Sequence, residues 1–193
     1  MHKIILASKS KVRKKILDEN NIESKVFPSN ADEELVKKSL IKENLSPELI
    51  SKNLAELKAN KVSLKFNKEI VIGADSVIDM SGELISKPKN RDEALEILKK
   101  LNGKTHNLIS SVCISKNGSM IWNYTEKASL TMKNMREIEL KEYLSKITDE
   151  ALYAYNVYQI EGEGKSLFLK IKGNEDTIMG LPIKRIKDYL EKL

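Results

Sequence analysis

The apolar residues of this chain fall into short runs separated by polar turns, and the spacing within each run indicates its element. Residues 3–7 and 24–28 are short segments that predict two strands. Between and after them, apolar residues recur at helical spacing. Ser10 is the predicted N-cap of the first helix, and Ser46 caps a longer helix that has Pro47 at its first position.

Hairpin patterns dominate the middle of the chain. Residues 71–80 form an apolar run that turns at Gly82 and returns through 84–85, and a second hairpin over 104–132 turns at Gly118. The remaining predicted elements are a helix from a capping box at 90–93 to Gly103, a helix at 136–147, a strand at 166–172, a turn at 173–176 and a last helix beginning at 180–182. Early alternation of strands and helices, followed by hairpins, predicts an α/β fold with a mixed sheet.

The composition fits one domain that covers residues 1–193. This length allows a sizeable core, and 40% hydrophobic with 32% charged residues is typical of a globular chain. Cys113 is the single cysteine, which excludes an internal disulfide, and two histidines are too few for most zinc patterns. No apolar run approaches the ~18–20 residues of a membrane helix, and the N-terminal run is too short for a signal peptide. We therefore expect a cytoplasmic protein with no membrane partner.

Positive charge is concentrated in the first third of the chain. The net charge is +6, and five of these six charges come from residues 1–70. Either an anionic ligand or solvated lysines explain the excess, and charge balance does not separate the two. Nucleic-acid binding is a third explanation, but the chain has no recognisable nucleic-acid motif and only 5% aromatic residues for base stacking. We expect no stable nucleic-acid partner.

The junction of the first strand and the first helix has the features of an anion site. Ser8 and Ser10 directly follow the strand, and Arg13 lies in the first helical turn. Free N–H groups and the positive end of the helix dipole would face an anion bound there. A basic surface helix with a serine cap explains the same residues, so this pattern alone leaves both interpretations open.

Asp75 is the most unusual residue in the apolar runs. It lies inside the central strand, and burial of a carboxylate is costly unless it is paired or binds a metal. Gly73, two residues earlier, permits a close approach to the backbone. Lys87, beyond the returning strand, is a candidate partner for this acid. His106 and Cys113 have no recognisable partner nearby in sequence, so we expect structural roles for both.

The acidic segment 32–34 has two interpretations. It is either a helix start with acids in its first turn or a source of carboxylates for a metal site. Mg²⁺ sites commonly use one or two carboxylates plus substrate phosphates. Lys58 and Lys61 lie on the long helix that follows, where either could face a cleft or solvent.

Three common motifs are absent from the sequence: a Gly-x-x-x-x-Gly-Lys-Ser/Thr phosphate loop, a Gly-x-Gly-x-x-Gly after a strand, and a Gly-x-Ser-x-Gly nucleophile elbow. The remaining candidates combine hydroxyls, cations and carboxylates: Ser8, Ser10, Arg13, Glu33, Lys58, Asp75, Lys87 and Glu161. This mixture suits hydrolysis of a phosphate ester or anhydride. Cations would hold the phosphates, and carboxylates would bind a metal or act as general base.

An ordered set of short motifs resembles the Maf family of septum-formation-inhibitor-like nucleoside triphosphate pyrophosphatases. The motifs follow one another over nearly the whole chain, at 5–17, 32–33, 54–59, 72–77, 87–88, 101–106, 161–164 and 180–182. Each is weak alone, but their order is specific. The resemblance implies an elongated mixed sheet flanked by helices, with two lobes around a central cleft, and homodimers are common in the family.

The resemblance also implies a reaction and residue roles. A nucleoside triphosphate is cleaved to the monophosphate and pyrophosphate, with a divalent cation such as Mg²⁺, Mn²⁺ or Co²⁺. The implied catalytic set is Asp75, Lys58 and Lys87, the substrate-binding set is Ser8, Ser10 and Arg13, and the metal site is Glu33 with Asp75. Asp75 matches the family's proton acceptor, and the cations match positions that hold phosphates.

Three positions separate a family branch that acts on dTTP and UTP from one that acts on 7-methyl-GTP, and here they disagree. Val12 matches neither branch, Ser76 is closer to the threonine of the first, and Glu161 matches the glutamate of the second. A carboxylate can accept from the ring N–H and exocyclic amine of a guanine-like base. Gln159, two residues upstream, is the alternative base-reading residue, so the base preference stays open.

A non-catalytic role is the main alternative. Lys11, Val12 and Asn156 depart from the family's pattern, which would fit a nucleotide-binding protein that affects cell division through a partner. The acid, the metal-type carboxylate and the cations nevertheless occur together, as a phosphoryl-transfer site requires. We therefore predict an enzyme with a small-molecule nucleotide substrate.

Overall fold

The computed structural model describes residues 3–193, apart from the side chains of residues 154 and 155, and is built on one mixed sheet. The strands are β1 (Ile4–Leu6), β2 (Ser24–Val26), β3 (Ile70–Met80), β4 (Glu83–Ile85), β5 (Thr105–Lys116), β6 (Ser119–Met132) and β7 (Phe168–Lys172). The helices are α1 (Lys11–Glu19), α2 (Glu33–Lys42), α3 (Pro47–Ser63), α4 (Arg91–Leu101), α5 (Glu137–Ser145), α6 (Asp149–Tyr155), α7 (Glu175–Ile178) and α8 (Ile183–Leu190). The predicted α/β fold with a mixed sheet is confirmed. None of the described helices is long and apolar enough to cross a membrane.

Strand β3 changes its neighbour half-way along its length. The strand order is β2-β1-β3-β5-β6-β7, with β4 paired to β3 outside this path. Residues 70–72 of β3 pair in parallel with β1, and residues 78–80 pair antiparallel with β4. On its other side β3 pairs with β5 over 71–79. Among the described strands, the segment between 72 and 78 therefore has a neighbour on one side only, and Asp75 lies in the middle of this opening.

Two buried clusters lie on either side of the opening. One packs α1 and α8 against β1 and the first half of β3, and Leu6, Leu17 and Ile186 are fully buried in it. The other packs α4, α5 and α6 against β4, β7 and parts of β5 and β6. Since β3 and β5 contribute to both clusters, the molecule consists of two lobes that share a sheet, in agreement with the prediction.

Helix α3 packs directly on the backbone of β3 at Gly73. A Cβ atom on Gly73 would lie 2.4 Å from the carbonyl oxygen of Ala55 and 2.6 Å from the backbone nitrogen of Ala59. The close approach predicted at Gly73 is therefore confirmed, and the approaching group is a helix. Side chains alternate along a strand, so Asp75 is presented to the same helix.

The last third of the chain differs most from the prediction. The predicted strand at 166–172 is shorter, because a 3₁₀ turn over Glu163–Leu167 precedes β7. The predicted turn at 173–176 leads into α7, and the tyrosine-rich segment contains α6, which Thr148 caps by accepting from the Ala151 N–H. These elements have only four to seven residues, too few for hydrophobic periodicity to identify them.

Candidate active site

A cleft of about 470 Å³ opens between the two lobes, along the unpaired flank of β3. The candidate residues that line it are Ser8, Ser10, Arg13, Glu33, Lys58, Asp75, Ser76, Lys87 and Glu161. Val12 is not among the lining residues, because its half-buried side chain packs against the cluster around α1 and α8. The fold thus brings together candidates from both ends of the chain.

Lys58 joins the two candidate carboxylates. Its Nζ lies 2.8 Å from Asp75 Oδ1 and 2.8 Å from Glu33 Oε2. Lys58 and Asp75 are only 5% and 8% exposed. The removal of water strengthens the attraction between these charges, but it also makes each of them costly to leave alone. The ammonium therefore compensates two acids that would otherwise repel each other.

The two carboxylate oxygens of Asp75 differ in their surroundings. Its Oδ2 is buried and has no hydrogen-bond partner among the described residues. The main chain around it is fixed, because the buried Ser51 hydroxyl donates to the Asp75 carbonyl oxygen at 3.1 Å. A buried carboxylate oxygen without a partner is costly. Oδ2 is therefore positioned to take a proton from water or to bind a cation.

Glu33 and Asp75 are the residues that could hold a divalent cation. The described part of the chain contains no cluster of three or more His, Cys, Asp or Glu side chains suited to a metal. Two carboxylates nevertheless suit Mg²⁺, which often takes its other ligands from substrate phosphates and water. The predicted helix start at the acidic segment is confirmed, since Asp32 caps α2 by accepting from the Leu35 N–H at 3.0 Å. Glu33 lines the cleft, so its predicted role as a metal ligand stays a prediction.

Ser8 and Ser10 form the turn that begins α1. Ser10 is the N-cap, as predicted, and its hydroxyl oxygen accepts from the Arg13 N–H at 3.3 Å. The Ser10 N–H donates to Ser8 Oγ at 3.2 Å. The first turn of a helix carries backbone N–H groups without intrahelical partners, so this end of α1 offers donors to an anion in the cleft.

Arg13 is held by protein acceptors on several sides. Its guanidinium donates to Ser8 Oγ at 3.2 Å and to the carbonyl oxygen of Ala74 at 2.8 Å. It also donates to the Gly180 carbonyl oxygen at 2.9 Å and to Ser76 Oγ at 3.0 Å. These bonds engage four of its five N–H groups. Arg13 therefore ties α1 to β3 and to the segment before α8, in addition to placing a cation beside the cleft.

A directional hydrogen-bond chain continues from Arg13. Ser110 donates to the Thr177 carbonyl oxygen at 2.6 Å, so its oxygen accepts from the Ser76 hydroxyl at 2.8 Å. Gly180 has a φ of +98°, and a Cβ atom there would lie 2.9 Å from Ser76 Oγ. Sequence reasoning missed Ser110 and Thr177, because these bonds join residues that are far apart along the chain.

Two cations of the cleft have lowered pKa values. Burial is the main cause of the lowered pKa of Arg13, and the negative charges of Asp75 and Glu33 act in the opposite direction. Lys87 keeps contact with solvent at the rim of the cleft, where partial desolvation, followed by the positive charge of Arg13, lowers its pKa. The positive charge of Arg13 thus acts on Lys87, and an anion bound beside the two cations would relieve this repulsion.

One wall of the cleft is lined by residues of the segment 156–161. Gln159 Nε2 donates to Glu161 Oε1 at 3.0 Å, and both residues line the cleft. The 3₁₀ turn packs against this wall, since a Cβ atom on Gly164 would lie 2.6 Å from the backbone nitrogen and oxygen of Gln159. The two alternative base-reading residues are therefore hydrogen-bonded partners on one wall.

His106 and Cys113 are buried, in keeping with the structural roles expected for both. His106 Nε2 lies 2.9 Å from the hydroxyl of Tyr158, which itself lines the cleft. Burial lowers the pKa of His106 to about 4 and raises the pKa of the Cys113 thiol to about 11. Neither group is charged near neutral pH.

Comparison with known proteins assigns the chain to a family. The family model described as Maf-like protein matches residues 3–193. A nucleoside triphosphate pyrophosphatase of Pelagibacter ubique (strain HTCC1062) is 72% identical over 188 residues, which cover 97% of this chain and 96% of that protein. A 7-methyl-GTP pyrophosphatase of Rhizobium etli is 34% identical, with 99% of this chain and 96% of that protein covered.

A solved structure has a related fold. The Staphylococcus aureus Ham1 protein matches with a TM-score of 0.52 and 14% identity, over 98% of each chain. At that identity the likeness concerns the fold alone. The match of the family model to nearly all residues, together with relatives more than 30% identical over nearly the whole length, shows that this chain belongs to the Maf-like protein family.

Proposed function

We propose that this chain is a nucleoside triphosphate pyrophosphatase, which hydrolyses its substrate to a nucleoside monophosphate and pyrophosphate. The observation that carries the proposal is the buried Asp75 carboxylate. Its Oδ2 has no hydrogen-bond partner within the described part of the chain, while Lys58 and Glu33 fix its surroundings. The cleft around it is large enough for a small-molecule ligand. The names of the relatives from Pelagibacter and Rhizobium support the same reaction class.

In the proposed reaction, the anhydride bond between the α- and β-phosphates breaks and water is added. Lys58 holds the Asp75 carboxylate through Oδ1, and Oδ2 accepts the proton of the attacking water as general base. Lys87 and the N-terminal turn of α1 at Ser8 and Ser10 stabilise the negative charge on the phosphate oxygens and on the departing pyrophosphate.

We also propose that Glu33 and Asp75 hold a divalent cation, with substrate phosphates supplying further ligands. When bound, such a cation polarises the phosphate and offsets the charge of the leaving pyrophosphate. We expect dialysis against a chelator to abolish pyrophosphate release, and Mg²⁺, Mn²⁺ or Co²⁺ to restore it. Full activity in the presence of chelator would overturn this part of the proposal.

Base preference should follow from the Gln159–Glu161 pair. Because the Gln159 amide group donates to Glu161 Oε1, the Gln159 carbonyl oxygen and Glu161 Oε2 remain as acceptors. An acceptor edge suits a base that donates from a ring N–H and an exocyclic amine, as guanine and 7-methylguanine do. It suits the O4 acceptor of uracil or thymine poorly. We therefore expect guanine-type triphosphates to be preferred.

Pyrophosphate release from 7-methyl-GTP, GTP, dTTP, UTP and CTP tests both levels of the proposal. We expect the highest rate with a guanine-type substrate and a loss of about 100-fold or more in Asp75→Asn, which lacks the general base. Glu161→Gln should reduce the preference for guanine, whereas Glu163→Gln, an exposed acid outside the cleft lining, should not.

The panel has two outcomes against the proposal. Activity confined to dTTP and UTP would overturn the base preference and keep the reaction class. A wild-type protein that releases no pyrophosphate from any of the five would overturn the reaction class and favour the non-catalytic alternative.

A further inference from the structure

Helix α2 presents to the cleft one lysine that the proposed mechanism does not use. Lys37 is half-buried and lines the cleft together with Glu33 and Glu34 of the same helix. Residues three and four apart share one face of a helix, so this face of α2 is turned to the cleft. Lys38, the next residue, is exposed and lies outside the cleft lining.

Acids lie at the spacing where a helical lysine commonly forms an ion pair, yet Lys37 forms none within the described part of the chain. Glu34 and Glu33 precede it by three and four residues. Glu33 is directed instead to Lys58, at 2.8 Å. Lysines that do pair with an acid four residues away are Lys14, Lys15, Lys141 and Lys146. The charge of Lys37 is therefore available to a ligand.

Core packing does not account for the position of this lysine. None of the ten residues of α2 is buried. The helix is flanked by Asn30 and Asn44, which adopt the left-handed conformation with φ of 47° and 56°. Its contacts with α3 include the ion pair of Glu33 with Lys58. Helix α2 therefore adds no fully buried residue to the core, and it presents Glu33, Glu34 and Lys37 to the cleft.

Two other cations of the cleft, Arg13 and Lys58, are engaged with protein groups. Arg13 gives four of its N–H groups to protein acceptors, and Lys58 lies between two carboxylates. A triphosphate brings several negative charges into the cleft, and each needs a cation or a hydrogen-bond donor there. We propose that Lys37 is a further substrate-binding residue, whose ammonium contacts the polyphosphate from the α2 side of the cleft. This inference rests on the function proposed above.

Lys37→Gln and Lys38→Gln form a matched pair, because they remove the same charge from adjacent positions of one helix. We expect Lys37→Gln to raise KM for the preferred triphosphate about tenfold or more, the usual effect of losing a hydrogen bond to a charged group. The value of kcat should change less, because the contact is made in the ground state as well. Lys38→Gln should keep both constants within about twofold, and Lys37→Arg, which keeps the cation, should retain most of the affinity.

Calorimetric titration with inorganic tripolyphosphate separates this inference from the reaction itself. We expect Lys37→Gln to bind tripolyphosphate more weakly than Lys38→Gln at low salt. That difference, in a protein that hydrolyses no triphosphate, would overturn the proposed function and leave the assignment of Lys37 standing. Equal KM values and equal tripolyphosphate affinities for the two variants would overturn the assignment of Lys37.

Discussion

At the scale of single residues, the Lys58 ammonium decides whether two carboxylates can share the cleft. Asp75 and Glu33 each lie 2.8 Å from it. Lys58→Met would leave two like charges beside each other, and loss of one partner of a buried pair commonly costs about 3–5 kcal/mol. We expect the free energy of unfolding, measured by urea denaturation, to fall by about 3 kcal/mol, since Glu33 is partly exposed and screened.

The control for this variant lies on the same helix. Lys52→Met makes the same change at a half-exposed position of α3 outside the cleft lining, where we expect an effect within about 0.5 kcal/mol. Equal destabilisation by the two variants would show that the ion pairs of Lys58 contribute nothing to stability.

His106 should make the protein sensitive to acid. Burial lowers its pKa from 6.5 to about 4, so the unfolded chain binds the proton first as the pH falls. The stability present above pH 6.5 is therefore lost between pH 6.5 and about 4, by at most about 3 kcal/mol. Urea unfolding at several pH values measures this loss. His106→Gln cannot titrate, so its stability should vary less over the same range, and an unchanged slope would contradict the assignment.

At the scale of elements, α2 and α3 differ in how they are held. Nine residues of α3 are buried, whereas none of α2 is. Local opening requires little energy where few apolar contacts are broken. Hydrogen exchange followed by mass spectrometry should show α2 exchanging well before α3, and tripolyphosphate should slow α2 if Lys37 binds it. Equal protection of the two helices would contradict this account of α2.

Close packing of α3 on β3 depends on Gly73. The Cβ atom of Gly73→Ala would meet backbone atoms at 2.4–2.6 Å, which cannot move independently of the helix. We expect a loss of about 1–3 kcal/mol in urea unfolding, the usual cost of overpacking, with lower activity because Asp75 follows on the same strand. Gly162→Ala is the control, since a Cβ atom on Gly162 would lie 3.9 Å from the carbonyl oxygen of Gln159, which is an ordinary contact distance. A neutral Gly73→Ala would show that the helix can move aside.

At the scale of the whole molecule, the sequence predicts elements better than it predicts their junctions. The long hairpin of β5 and β6 and the helices capped by Ser10, Ser46 and Asn90 are where the pattern indicates them. Periodicity and capping are local signals, so they report these elements directly. The short helix α7 and the 3₁₀ turn before β7 depend on contacts with distant residues, which no local pattern contains.

The same distinction holds for the candidate site. Asp75 and the acidic segment 32–34 can be recognised in the sequence alone. A carboxylate is costly to bury in an apolar strand, and a run of acids is unusual in its local context. The chain from Arg13 through Ser76 to Ser110 was not visible, because its partners are 63 and 34 residues apart. Lys37 does carry a local signal, because it lies one helical turn after Glu33 and therefore on the same face of α2.

Identification of the products of the wild-type protein by ³¹P nuclear magnetic resonance tests whether this chain cleaves triphosphates between the α- and β-phosphates. With the preferred triphosphate and a divalent cation, we expect equal amounts of nucleoside monophosphate and pyrophosphate from the first time point. Nucleoside diphosphate with inorganic phosphate, or a triphosphate left intact, would contradict it.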